Sequence, residues 1–192
     1  MFAPREYLSW SQMTTWERGE RAFYDRYFLG KIMQSKEMDF GKKIASGLEA
    51  EETKDKEVEF CRMWLPTAKK QEKEFEIIVK IEEIPLLVKM DRFAEEEKLI
   101  EEYKTGKVKW TQRKADEHGQ ITIYDMAVHK KYGFIPDNNL HWIPTKEEGE
   151  KIVLTGDLPQ CFKTKRTLAD FASMYGRMKR AWKGINSFCE SL

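Results

Sequence analysis

The sequence predicts an α/β fold, a central mixed β-sheet with helices on both faces. Three observations carry this reading. The elements run helix, helix, strand, hairpin, helix, strand pair, helix, an order that suits strands and helices in separate layers. Residues 86–104 form the clearest β-hairpin, its arms joined by the charged connection Ala94-Glu95-Glu96-Glu97. Residues 167–186 form the clearest amphipathic helix. A chain of 192 residues that is 41% hydrophobic can bury the core of one domain, and residues 1–192 are expected to form one.

Taken in order, residues 8–30 read as a helix. Ser9 with Gln12 three positions on is a capping-box pattern. Met13, Trp16, Phe23, Tyr27 and Phe28 give an apolar face, and Gly30 is a C-terminal stop. Residues 39–64 read as a second helix beginning near Asp39, with Phe40, Ile44, Leu48, Val58 and Cys61 apolar. Its charged middle, 49–60, is either a solvated run or a break. Residues 74–83 read as a strand through Ile77, Ile78, Val79 and Ile81. The hairpin follows, with arms Pro85–Phe93 and Lys98–Thr105. After it comes a short loop in which Lys104, Lys107, Lys109, Arg113 and Lys114 flank Trp110. Residues 115–132 read as a helix on which Gln120 and Tyr124, four apart, share a face, while Ile121, Met126, Ala127 and Val128 can face the sheet. Asn138 and Asn139 have turn composition. Residues 140–145 and 151–157 read as a second hairpin or adjacent strand pair joined by 146–150. In the last helix Thr167 with Asp170 resembles a capping box, and Leu168, Phe171, Tyr175, Met178, Trp182 and Ile185 form one stripe. Lys163, Lys165 and Arg166, then Arg177, Lys179, Arg180 and Lys183, make this end basic. It is either a phosphate-contacting stripe or a solvated face.

The formal net charge of +1 gives no global basic signal, so any nucleic-acid surface must be local. Cys61, Cys161 and Cys189 lie far apart without CxxC spacing, which suggests reduced thiols in a cytoplasmic setting. No apolar run approaches the roughly 20 residues of a membrane span, and the start lacks the basic and apolar regions of a signal peptide.

The chemistry concentrates on the first hairpin. Strand side chains alternate faces, so Glu102 and Lys104 point one way and Tyr103 the other. A register that sets Asp91 beside Glu102 brings two carboxylates and an ammonium to one rim. Two close carboxylates repel, and a divalent cation relieves the conflict. Mg²⁺ accepts one or two carboxylates plus waters and phosphate oxygens, lowers the pKa of a bound water and polarises a phosphoryl oxygen. Asp91, Glu102 and Lys104 are therefore parts for metal-assisted phosphodiester hydrolysis. Glu-x-Lys is also common on exposed strands of a chain that is 35% charged. The nearby cationic loop can hold phosphates through Lys107 and Lys109, and Trp110 can stack on a base or anchor the loop.

These segments resemble the PD-(D/E)XK nuclease superfamily, in particular its RecB-like branch of recombination and CRISPR-adaptation nucleases. LSWSQMTTWERGERAFYDRYFLGK is similar to the family's opening motif and FGKKIASGLE to its G-x-x-x-H-x-x-L-E helix. LLVKMDRF matches the strand with the metal-binding Asp, LIEEYKTGK the i-[DE]-Y-K-T-G segment, and GQITIYDMAVHKKYG the following Q-x-x-x-Y helix. The likeness covers roughly residues 8–185. It implies a restriction-endonuclease-like core and a Mg²⁺- or Mn²⁺-dependent DNase. Asp91 and Glu102 would be metal ligands with the Tyr103 carbonyl, Lys104 the catalytic lysine, and Gln120 and Tyr124 contacts to DNA or supports for the lysine. Thr105 and Gly106 would shape the strand end. DNA is the implied partner, with a helicase or recombination protein beside it, because the chain has no GxxxxGK[ST] loop of its own. Two departures stand out. Ala45 occupies the family's metal-binding histidine position, which makes Glu49, one helical turn on, the candidate substitute. Gly19 occupies the position of the early iron–sulfur cysteine, so no iron–sulfur cluster is expected. The alternative is a catalytically impaired descendant acting as a DNA- or protein-binding module.

Overall fold

The structure is a computed structural model and describes residues 5–32, 34–50, 52–65 and 75–192. Glu51 of the charged run and Glu74 of the expected first strand lie outside the described residues.

The expected helix 8–30 is two helices, α1 (Trp10–Trp16) and α2 (Glu20–Tyr27). Gly19 separates them at φ +117°, a conformation that costs glycine nothing because it has no Cβ. Ser9 caps α1, its Oγ accepting the Gln12 N–H at 3.4 Å. The second expected helix also divides, into α3 (Lys36–Glu49) and α4 (Lys56–Trp64). Each half carries its own N-cap. Ser35 Oγ accepts the Met38 N–H at 3.2 Å, and Asp55 Oδ1 accepts the Glu57 N–H at 2.9 Å. The charged middle is therefore a break. A Cβ on Gly47 would sit 2.5 Å from Val58 Cγ2, so α4 packs closely on α3 only because that position is bare.

Strands β1 (Phe75–Ile81) and β2 (Ile84–Met90) form an antiparallel two-stranded sheet. The chain then passes through Asp91 into β3 (Arg92–Ala94), which pairs with β4 (Leu99–Gly106) in a second, five-stranded sheet. The expected arm Pro85–Phe93 is thus one hairpin arm broken at Asp91, its first part pairing backward and its last part forward. Short α5 (Gln112–Asp116) and α6 (Gly119–Tyr132) replace the single helix expected over 115–132. Strand β5 (Asp137–Glu148) runs parallel to β4, β6 (Lys151–Leu154) returns after Gly149 at φ +60°, and β7 (Gln160–Lys165) lies antiparallel on the first half of β5. Asn138 and Asn139 belong to β5, not to a turn. Helix α7 (Leu168–Ser191) opens with the full Thr167–Asp170 capping box and runs past the expected end. Its buried stripe is Phe171, Met174, Met178, Ala181, Ile185 and Cys189, while Leu168 is exposed.

The five-stranded sheet separates two apolar layers. Ile100, Leu140 and Trp142 face α6 and α7 in the larger core, with Leu86, Met90 and Phe23. Ile143 and Ile152, with Tyr103 at the margin, face Phe40, Ile44, Val58 and Cys61 of α3 and α4. Two buried polar groups join α6 to its surroundings. Asp125, 0% exposed, accepts a 2.9 Å hydrogen bond from Asn138 Nδ2 of β5. Arg166, 4% exposed, donates to Thr122, Thr164 and the carbonyls of Ala115 and His118. Its guanidinium is a structural clamp, which removes it from the expected phosphate stripe. Arg177 and Lys179 of that stripe pair with Glu17 and Glu83. Among the described residues no helix is long and apolar enough to cross a membrane.

Candidate active site

The break in the first hairpin creates the site. Arg92 pairs with Glu101, so the next step of the register sets Asp91 opposite Glu102. Asp91 Oδ2 accepts the backbone N–H of Tyr103 at 2.7 Å, which fixes the carboxylate against β4 at the point where its own strand leaves one sheet for the other. On β4, Ile100, Glu102 and Lys104 share one face, and Glu101 and Tyr103 share the other. The Tyr103 ring stacks on His141 at 5.3 Å, its directly opposed partner on β5.

Glu102 is 1% exposed. Its Oε1 accepts a hydrogen bond from Lys104 Nζ, while its Oε2 is buried with no hydrogen-bond donor. Burial raises its pKa to about 7; the Lys104 charge works against that and the Asp91 carboxyl adds to it. For Lys104 the balance is the reverse. Burial disfavours its charge, but Glu102 and Asp91 outweigh burial and hold the ammonium above its ordinary pKa. Lys104 Nζ also donates to Gln120 Oε1 at 3.0 Å, and Gln120 Nε2 donates to the Tyr124 hydroxyl. Helix α6 therefore supplies a two-residue brace for the lysine.

The donor set suits a hard divalent cation. A buried carboxylate oxygen without a donor is costly, and a cation would satisfy it. Among the described residues no three His, Cys, Asp or Glu side chains come together as a closed metal cage. An ion between Asp91 and Glu102 would complete its shell from backbone, water and substrate oxygens, as Mg²⁺ or Mn²⁺ does. Glu49 is not brought into this cluster. It is the last residue of α3 and exposed, two helical turns beyond Gly41, where the helix meets β4 at Thr105.

Of the expected DNA-contacting loop, Lys109 is exposed and Lys107 bridges Glu37 at 3.0 Å and Glu147 at 2.8 Å. Trp110 is 7% exposed and packs into the core, its ring 5.1 Å from His118. It anchors the loop and has no face open to a base. The three cysteines lie on separate elements, Cys61 in α4, Cys161 in β7 and Cys189 in α7.

Sequence reasoning missed His118. It stands just before α6, tilted between Trp10 at 6.1 Å and Trp110 at 5.1 Å. Burial first, then the charges of Lys104, Arg166 and Lys114, push its pKa down to about 4, so it stays neutral beside the site. The sequence pattern puts it inside a helix over 115–132, and its aromatic sandwich depends on contacts distant in sequence.

No protein-family model matches the sequence, and no curated protein does. Solved structures do match. A protein named as a candidate exonuclease from Eubacterium rectale superposes with a TM-score of 0.62 over 97% of this chain and 82% of its own, at 12% identity. A phage-related exonuclease from Haemophilus somnus gives 0.58 over 89% of this chain and 81% of its own, at 11% identity. The chain thus shares with these proteins a restriction-endonuclease-like α/β fold, a central mixed sheet flanked by helices.

Proposed function

We propose that this chain is a divalent-metal-dependent deoxyribonuclease of the PD-(D/E)XK type, in the RecB-like branch, acting in recombination, repair or the processing of phage or mobile-element DNA. The observation that carries this is Glu102, a buried carboxylate with one oxygen on Lys104 and the other without a donor beside Asp91. Asp91 and Glu102 would hold Mg²⁺ or Mn²⁺ with the Tyr103 carbonyl; when bound, the ion supplies Lewis acidity and a water of lowered pKa. Lys104 stays protonated against burial because two carboxylates flank it. Its ammonium orients the attacking water and offsets charge that develops on the phosphorus oxygens. Gln120 and Tyr124 hold that ammonium in place, and exposed Lys109 is available to a DNA phosphate. DNA is the substrate, and a helicase or recombination protein is the natural second partner.

One observation favours a second reading, a non-catalytic DNA- or protein-binding module. Ala45, at the family's histidine position, is a half-buried residue of α3 with no donor to offer a metal. The deciding experiment incubates linear and covalently closed circular single- and double-stranded DNA with Mg²⁺ or Mn²⁺. Metal-dependent cutting that falls about 10²–10⁴-fold in Lys104→Ala is expected. DNA binding without cutting in either metal would leave the binding-module reading in possession.

A further inference from the structure

Strand β1 is an edge that the rest of the fold leaves open. Among the described residues its one strand neighbour is β2. The direction of its free backbone groups follows from the far side of β2. There the Pro85 carbonyl accepts the Leu8 N–H at 2.8 Å, and the Leu87 N–H donates to the Leu8 carbonyl at 2.9 Å. Backbone groups alternate sides along a strand, so Ile84, Leu86 and Val88 turn theirs toward β1, where they meet Ile81, Val79 and Ile77. Glu76, Ile78 and Lys80 are left with their N–H and C=O groups pointing outward. Among the described residues none of these groups has a hydrogen-bond partner.

Other edges of the sheets are short or covered, the usual ways of preventing stray pairing. Strand β3 has three residues and β6 has four. The Leu154 N–H of β6 donates to Glu57 at 3.1 Å, and Gln112 donates to the Lys163 carbonyl of β7 at 2.8 Å. Strand β1 has seven residues, and its outward row Glu76, Ile78 and Lys80 is exposed, Ile78 by 64%. The ribbon is also fastened at its turn. Glu83 accepts from the Tyr175 hydroxyl at 2.8 Å and pairs with Lys179 at 3.2 Å, both on α7. An edge held this way loses little freedom when it pairs.

We propose that β1 pairs antiparallel with β1 of a second copy of this chain, about a two-fold axis at Ile78, to give a four-stranded ribbon in the order β2–β1–β1–β2. The charges carry the choice of partner. In this register Ile78 meets Ile78, and Glu76 of each copy stands opposite Lys80 of the other. Opposite charges directly across an antiparallel pair attract, and like charges there repel. A parallel in-register pairing would set Glu76 beside Glu76 and Lys80 beside Lys80, so the same residues oppose it. Lys80 has no carboxylate partner in its own chain among the described residues, and Glu76 uses one oxygen on Lys89 at 3.2 Å. The three residues with matching side chains are also the three with outward backbone groups, so one register satisfies both. The contact is isologous and closes at two copies. Each β2 leads into Asp91, so the pairing fastens two Asp91 joints to opposite ends of one ribbon.

The test is sedimentation of the full chain at rising concentration. Two paired seven-residue strands make a small contact, in the transient class below about 1,200 Å², so a dimer that grows with concentration is expected. Lys80→Glu and Glu76→Lys each set like charges opposite one another on both sides of the axis, and each is expected to weaken the dimer at least tenfold. An equal mixture of the two variants should restore it, because every 76–80 pair is again of opposite sign. Ile78→Pro should also abolish it. The Ile78 N–H points away from β2, so proline spares the ladder within the chain and removes a hydrogen bond at the centre of the dimer. Melting temperatures report whether each variant is folded. If Glu76→Lys disturbs the fold beside Lys89, Lys80→Glu and Ile78→Pro decide the matter. A monomer at every concentration up to about 1 mM, the weak end of specific affinity, overturns the proposal. So does a dimer that folded Lys80→Glu and Ile78→Pro both leave intact, since its interface then lies elsewhere. Two folded monomeric charge variants that fail to pair when mixed overturn the register.

Discussion

Glu101 and Glu102 are neighbours on β4, and each is 1% exposed. They have opposite fates. Glu101 points with Tyr103 and is held by Arg92 and by His141 at 3.4 Å. Burial pushes its pKa up, but His141 and Arg92 outweigh burial and bring it below the ordinary carboxylate value. Glu102 points with Lys104, shares its face with the Asp91 carboxyl, and keeps one oxygen without a donor. Burial alone does not distinguish these two carboxylates; the partners of each oxygen do. Glu101 ties β3 and β5 to β4, and Glu102 keeps one buried oxygen without a partner.

That contrast can be broken by mutation. Glu101→Ala removes one side of a buried charge cluster, leaving His141 without its carboxylate and Arg92 with only Glu97 at 3.6 Å, so it should destabilise the fold by about 3–5 kcal/mol. Glu102→Gln removes a strained carboxylate and should leave the denaturation midpoint unchanged or higher. Chemical denaturation of the two variants side by side reads the difference, and equal destabilisation would sink the distinction.

Asp125 sharpens the comparison because it belongs to neither class. Its Oδ2 meets Asn138 Nδ2, yet its Oδ1 and Asn138 Oδ1 are both buried without partners. Burial raises its pKa to about 7, against the Asn138 hydrogen bond and the Arg166 charge; Asp137 adds to the rise and Lys165 opposes it. A proton on Asp125 can supply the missing donor. Because the folded pKa lies above the unfolded one, its contribution is fully present below about pH 4 and is lost as pH rises to about 7. Asp125→Asn provides a permanent N–H in place of that proton. It should flatten this dependence and stabilise the protein at pH 8 by on the order of 3 kcal/mol. Melting curves from pH 4 to 8 check it; a wild-type curve that rises with pH over this window, with the variant parallel to it, would count against the assignment.

Metal addition gives the smallest effect. Mn²⁺ at about a hundred times its dissociation constant should add about 2.7 kcal/mol to wild type. Asp91→Ala should lose that gain, and Glu101→Gln should keep it. Differential scanning with and without Mn²⁺ tests both arms.

The sequence was most legible where a local rule met a tertiary need. The hairpin around Ala94–Glu97, the face shared by Glu102 and Lys104, the α6 pair Gln120 and Tyr124 and the Thr167 cap were all visible in spacing. The helix break at Gly19 was not, because the apolar period runs through it and a lone glycine is tolerated in helices. Strand β7, QCFKTK, lacks apolar alternation and forms because β5 offers it an edge. Asn138 has turn chemistry, but a buried Asp125 claims its amide for a strand. Trp110 could equally stack on a base or anchor its loop, and Arg166 could join a phosphate stripe or a solvated face, because composition does not say which way a side chain turns. Each is held by groups far along the chain.

Asp91 is also a mechanical joint. The β1–β2 ribbon and the five-stranded sheet meet in the chain at this one residue, and its carboxylate is pinned to β4 through the Tyr103 N–H. The ribbon is a lever arm whose fulcrum is a candidate metal ligand. A torque applied to β1–β2 reaches β4 along the chain through Asp91, and reaches the Lys104 brace through the packing of the ribbon on α6.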